Sequence, residues 1–171
     1  HGRPGRGWTF STRLDSRCLR MMDSYVLRFL RASLAWLAAG VSLGVAMAVH
    51  PAWVIYRTAH LHMLLLGFVV MMISGVAYHV MPRFTATPLY SPRLATWHFV
   101  MSNCGLALLA SGFIVRNHDV AVAAWLLGAG GTLSAAGAYS LAFNLWRTLD
   151  GAKVVPVMPV RRARPLRVVG E

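Results

Sequence analysis

Four long stretches of this chain carry no formal charge. Lys, Arg, Asp and Glu are all missing from Ala32 to Tyr56, from Thr58 to Pro82, from Leu94 to Val115 and from Val120 to Trp146. Each stretch reaches the ~20 residues that a helix rising ~1.5 Å per residue needs to cross ~30 Å of hydrocarbon. A core helix of a soluble domain would show a charged outer face, and none of these segments has one. Only 13% of the residues are charged, against about 25% in an ordinary soluble domain. The fold class that follows is all-α: a polytopic membrane protein built as a four-transmembrane-helix bundle. The spans are expected at residues 25–49, 57–81, 93–115 and 120–146, with Pro82 stopping the second. The transmembrane domain, 25–149, lies between a basic tail, 1–24, and a second basic tail, 150–171, with prolines at 156, 159 and 165.

The cations set an expected topology. Of the 17 Lys and Arg residues, all except Arg57 and Arg116 fall on one side of the four spans. Cytoplasmic loops carry the excess of Lys and Arg, so both termini are expected in the cytoplasm, N-in and C-in. The expected location is the inner (plasma) membrane of a bacterium or archaeon. A net charge of +12 can also mark a nucleic-acid binder. Here the charges flank membrane spans, so the expected partner is anionic membrane lipid and not nucleic acid. A short amphipathic stretch, Leu19–Met22, is expected on the membrane surface. Small residues mark close helix packing: Gly40 and Gly44 in the first span, and a ladder of Ala124, Gly128, Thr132 and Ala136 in the fourth. Both faces read either as packing within the bundle or as contacts with a further copy or a partner.

Ionisable residues inside spans are rare and costly, so each histidine there is a functional hypothesis. The acids, Asp15, Asp23, Asp119, Asp150 and Glu171, all lie outside the spans, which argues against a carboxylate-driven pump or transporter. His50 closes the first span on the outer side, and His60 and His62 open the second at the same depth. His79 and His98 lie near the inner ends of the second and third spans. Two residues apart on a helix means a rotation of about 200°, so His60 and His62 face opposite flanks and cannot share one small ion. The His60 flank runs through Leu64, Gly67, Met71, Ser74 and Tyr78, a protein-packing face. The His62 flank runs through Leu66, Val69, Ile73, Val76 and Val80, an aliphatic strip suited to lipid, a partner helix or a porphyrin edge.

Ala59-His60-Leu61-His62, then Gly67, then Tyr78, Pro82 and Phe84, a short connection and His98-Phe99 resemble two consecutive helices of haem–copper oxidase subunit I. In that superfamily the first histidine of the His-x-His pair ligates the high-spin haem and the second the low-spin haem. The resemblance implies the same for His60 and His62, with haem b as the cofactor. A second axial ligand would come from His50, His118 or another protomer. Arg57, one turn above His60, is placed to pair with a haem propionate, and Met71 is a weaker ligand candidate. The helices that would supply the copper ligands and the second low-spin axial histidine are missing from this stretch, so it is not expected to reduce oxygen alone.

The resulting expectation is a membrane b-type haem protein, for electron transfer or for binding a diatomic gas such as NO or O₂, in a homo-oligomer or a larger respiratory complex. Two alternatives stand beside it. One is a non-catalytic assembly subunit of a respiratory complex. The other is a copper- or zinc-handling protein, with a second metal site at His79 and His98.

Overall fold

The structure, a computed structural model, describes residues 24–151. The basic tails and the Leu19–Met22 stretch lie outside the described residues, apart from Ser24 at one end and Asp150 and Gly151 at the other. Four helices are long and apolar enough to cross a membrane: α1, Ser24–Val49; α2, Pro51–Phe84; α3, Pro92–Val115; and α4, Val120–Asp150. No strand occurs among the described residues. Lipid supplies no hydrogen-bond partners, so a spanning backbone must satisfy itself, and helices do this within a single segment.

α1 packs on α2, α2 also packs on α3, and α3 and α4 form the most extensive pair. The core concentrates toward the end of the bundle where both described termini lie. There Phe29 of α1 meets Tyr78 of α2 with ring centroids 5.7 Å apart, and His98 and Phe99 of α3 at 4.8 and 5.2 Å. Trp36 ties α1 to α3 by donating its indole N–H to Asn103 Oδ1 at 3.1 Å.

The second span departs from a uniform helix. It begins as a 3₁₀ turn, Pro51–Tyr56, becomes α-helical over Arg57–His62, widens into a π-helix over Met63–Val70, and returns to α over Met71–Phe84. The widening shifts the phase of the surface. Gly67 stays wedged between α1 and α3, where a Cβ would meet Trp36 Cβ at 2.6 Å and Leu106 Cδ2 at 2.8 Å. Leu66 leaves the aliphatic strip expected below His62 and lines an internal cavity, while Val69, Ile73 and Val76 remain exposed.

The expected stop at Pro82 is corrected. Pro82 lies inside the helix, which continues to Phe84. A proline in the last turn removes only one ladder hydrogen bond close to the helix end. The actual stop is a turn in which Thr87 N–H donates to Pro82 O at 3.1 Å and Ala86 N–H to Arg83 O at 3.4 Å. This pairing is the Schellman pattern. It puts Ala86 at a left-handed φ of 50°, where glycine is the usual occupant. The connection is then gripped by α4. Asn144 accepts from Ser91 N–H at 3.0 Å and donates to Ser91 O at 2.9 Å, and Thr148 Oγ1 accepts from Tyr90 N–H at 3.1 Å. Ser91 also caps α3 by accepting from Leu94 N–H at 3.2 Å, and Asp119 caps α4 by accepting from Val122 N–H at 3.0 Å.

The small-residue motifs divide. Gly40 and Gly44 pack against α2, as expected for a bundle interface. Ala124, Gly128, Thr132 and Ala136 do not pack within the chain: all four are exposed, and nothing lies near a Cβ built on Gly128. The face of α4 that meets α3 is offset from them and runs through Ala123, Gly130 and Gly137. Its partners are Gly105 and Gly112 of α3, which the sequence reading passed over.

Gly130→Ala is expected to push apart two backbones, since its Cβ would lie 2.7 Å from Leu109 N and 2.8 Å from Gly105 O. The expected cost is about 1–3 kcal/mol of bundle stability, read as a lower unfolding midpoint in detergent. Gly128→Ala should be neutral or slightly stabilising, because it adds helix propensity at an open position. Ala86→Gly should raise the midpoint by relieving a left-handed residue, an effect of about 1 kcal/mol.

Candidate functional site

The N-terminal part of α2 carries the two histidines singled out from the sequence. His60 turns toward α1. Its Nδ1 lies 2.8 Å from Gly40 O, and its ring rests against Gly44, where a Cβ would come within 2.8 Å of His60 Cε1. His62 turns toward α3. Its Nδ1 lies 2.8 Å from Thr58 O one turn back, and its ring stacks on Phe113 with centroids 4.5 Å apart. The opposite flanks expected from helical rotation are those observed.

The two hydrogen bonds fix the chemistry of both rings. A backbone carbonyl can only accept, so Nδ1 must carry the proton in each ring. The lone pair then sits on Nε2, the nitrogen available to a metal. An imidazole oriented by Nδ1–H donation to a carbonyl is the usual arrangement of a histidine that ligates through Nε2. Gly44 matters to His60 because any side chain there would displace the ring.

The remaining candidates are placed differently. His50 is exposed and stacks on Trp53 with centroids 5.5 Å apart. Trp53 continues to Tyr56 at 6.3 Å, and the Tyr56 hydroxyl lies 3.0 Å from His118 Nε2. The α1–α2 and α3–α4 connections are thus linked by an aromatic row. Arg57 is exposed one turn above His60 and has no ion pair among the described residues. Met71 is buried in the core at 2% exposure, where it packs as a hydrophobe.

The expected second metal site at His79 and His98 is not assembled. The two side chains engage different partners: His79 is held by its own helix, and His98 is buried in the core. His79 receives Arg83 Nη1–H on Nδ1 at 2.8 Å, and the same guanidinium donates to His79 O. His98 is buried beneath Tyr78, whose hydroxyl lies 3.1 Å from His98 Nδ1. Among the described residues no three of His, Cys, Asp and Glu gather closely enough to hold a metal ion. The Tyr78–His98 pair was not foreseen, although both residues belonged to the motif that carried the resemblance.

An all-helical membrane domain with two inward-oriented imidazoles at one end of a single span defines a class of proteins, those of membrane histidine-bearing helices. Comparison narrows the class. The chain belongs to the family described as cytochrome c and quinol oxidase polypeptide I, which matches residues 10–149. It is similar to cytochrome c oxidase subunit 1 of Rhodobacter capsulatus, at 30% identity covering 55% of this chain. The matched part amounts to 22% of that relative's length.

Nitrogen-15 spectra of histidine-labelled protein are expected to show the neutral Nδ1–H tautomer at His60 and His62 and the Nε2–H tautomer at His79. Gly44→Ala should move the His60 signals and leave those of His62 in place.

Proposed function

We propose that this chain is a haem-holding membrane module of the oxidase subunit I family, with iron ligated by Nε2 of His60, of His62, or of both on separate haems. The observation that carries the reading is the pair of Nδ1–H bonds to Gly40 O and Thr58 O. They leave two unprotonated Nε2 atoms on opposite flanks of one helix. The donor set fits: a neutral imidazole is a common axial ligand of haem iron, and each ring's tautomer is already set without solvent. Haem bound there would supply one-electron chemistry or an open coordination position for a diatomic gas. The chain's own contribution is to hold and orient the ligands and to offer Arg57 as a cation for a propionate. His50, or a histidine of a second copy, would complete a six-coordinate iron.

The reading includes the topology inferred from the cations, with both termini cytoplasmic and the His60 end on the outer side. It also includes assembly, as an oligomer or inside a larger complex. A second reading, a cofactor-free assembly subunit, is favoured by one observation: the small-residue ladder on α4 is exposed along its length. The copper- or zinc-handling reading has no such support.

The deciding measurement is a reduced-minus-oxidised absorption spectrum of the purified chain, before and after haem addition. A b-type α-band is expected. His60→Ala and His62→Ala should each reduce or abolish it according to which ring ligates, and the double variant should abolish it. No α-band after haem addition, with protein that remains folded, would remove the proposal. Stoichiometric co-purifying partners would then support the assembly reading.

A further inference from the structure

A cavity of about 80 Å³ lies between α2, α3 and α4, away from the His60 and His62 end. Leu66 and Met71 of α2, His98, Ser102 and Leu106 of α3, and Ser134 of α4 are among its walls. One water needs about 10–15 Å³ measured in this way, so the space admits more than one. Apolar cavities stay dry, and polar ones hold water that completes unmet hydrogen bonds. The question is therefore whether the polar groups here are already satisfied.

One is not: Ser134 Oγ is buried and has no hydrogen-bond partner among the described residues. His98 is only 2% exposed. Its Nδ1 is engaged by Tyr78, which leaves Nε2 as its other hydrogen-bonding atom. Ser102 of the same helix also lines the cavity. A Cβ on Gly137 of α4 would lie 2.5 Å from Ser102 Oγ and 3.5 Å from His98 Cδ2. A Cβ on Gly105 of α3 would lie 2.5 Å from Ser134 Oγ. Each glycine leaves room for a hydroxyl on the facing helix.

We propose that this cavity is a binding site for internal water, held by Ser134 Oγ, Ser102 Oγ and His98 Nε2. Buried waters commonly make about three hydrogen bonds, and this site offers three groups. The water continues the Tyr78–His98 bond into a short hydrogen-bonded run. It gives a buried imidazole contact with an exchangeable proton in spans that contain no carboxylate.

The test is infrared spectroscopy of the full chain in lipid bilayers, in ordinary water and in H₂¹⁸O. The expected result is an O–H stretching band that shifts with ¹⁸O and is lost or displaced in both Ser134→Ala and Ser102→Ala. The nitrogen-15 signal of His98 should move in Ser134→Ala, and that variant's unfolding midpoint should fall. A spectrum indistinguishable between wild type and folded Ser134→Ala, with a midpoint unchanged or raised, would mean a dry cavity with an orphaned hydroxyl and would overturn the proposal.

Discussion

Inside hydrocarbon, every polar hydrogen must find an acceptor within the protein, and much of this bundle follows from that rule. It accounts for the helices themselves. It also accounts for the hydroxyls that fold back on their own helix: Ser42 donates to Ala38 O, Ser74 to Val70 O, Thr132 to Gly128 O and Ser140 to Ala136 O. The histidines obey the same rule. His60 and His62 give their Nδ1 protons to carbonyls, and this determines the face each ring offers a ligand. Where the rule is broken, at Ser134, there is a cavity beside it.

The second constraint is proximity. Interhelical contact in a membrane is driven by packing and not by expulsion of water, so small residues decide which faces meet. Gly44 admits the His60 ring, Gly67 admits Trp36 and Leu106, and Gly105, Gly130 and Gly137 let α3 and α4 nearly touch. The same residue type therefore serves close helix approach in one place and the seating of the His60 ring in another. Large side chains fill what is left, with Phe29 at the centre of an aromatic group that includes Tyr78 and His98.

Much of this was legible in the sequence. Runs without charge gave the four spans to within a few residues, because transfer of a charged group into lipid dominates every other local preference. The opposite flanks of His60 and His62 followed from helical rotation alone. What failed were inferences that needed a neighbouring helix. The ladder from Ala124 to Ala136 has the right residues, but Gly130 and Gly137, on an adjacent face, are the ones that meet α3, at Gly105 and at Ser102. Spacing cannot distinguish two small-residue stripes on one helix. Pro82 looked like a terminator because the sequence does not reveal that Ala86 closes the helix in a left-handed conformation. The π-helical stretch had no signature at all, and Leu66 within it lines a cavity instead of facing lipid alone.

The grip of Asn144 and Thr148 on the connection before α3 has a mechanical consequence. α4 rests mainly on a single neighbour, so it is the helix with least lateral support. Its far end is nevertheless buttoned, through paired donor and acceptor bonds, to the loop that launches that neighbour. Detachment of α4 therefore cannot proceed by simple peeling from its C-terminal end. It must first release the backbone of Ser91, which also uncaps α3, so the last two helices come apart together or not at all.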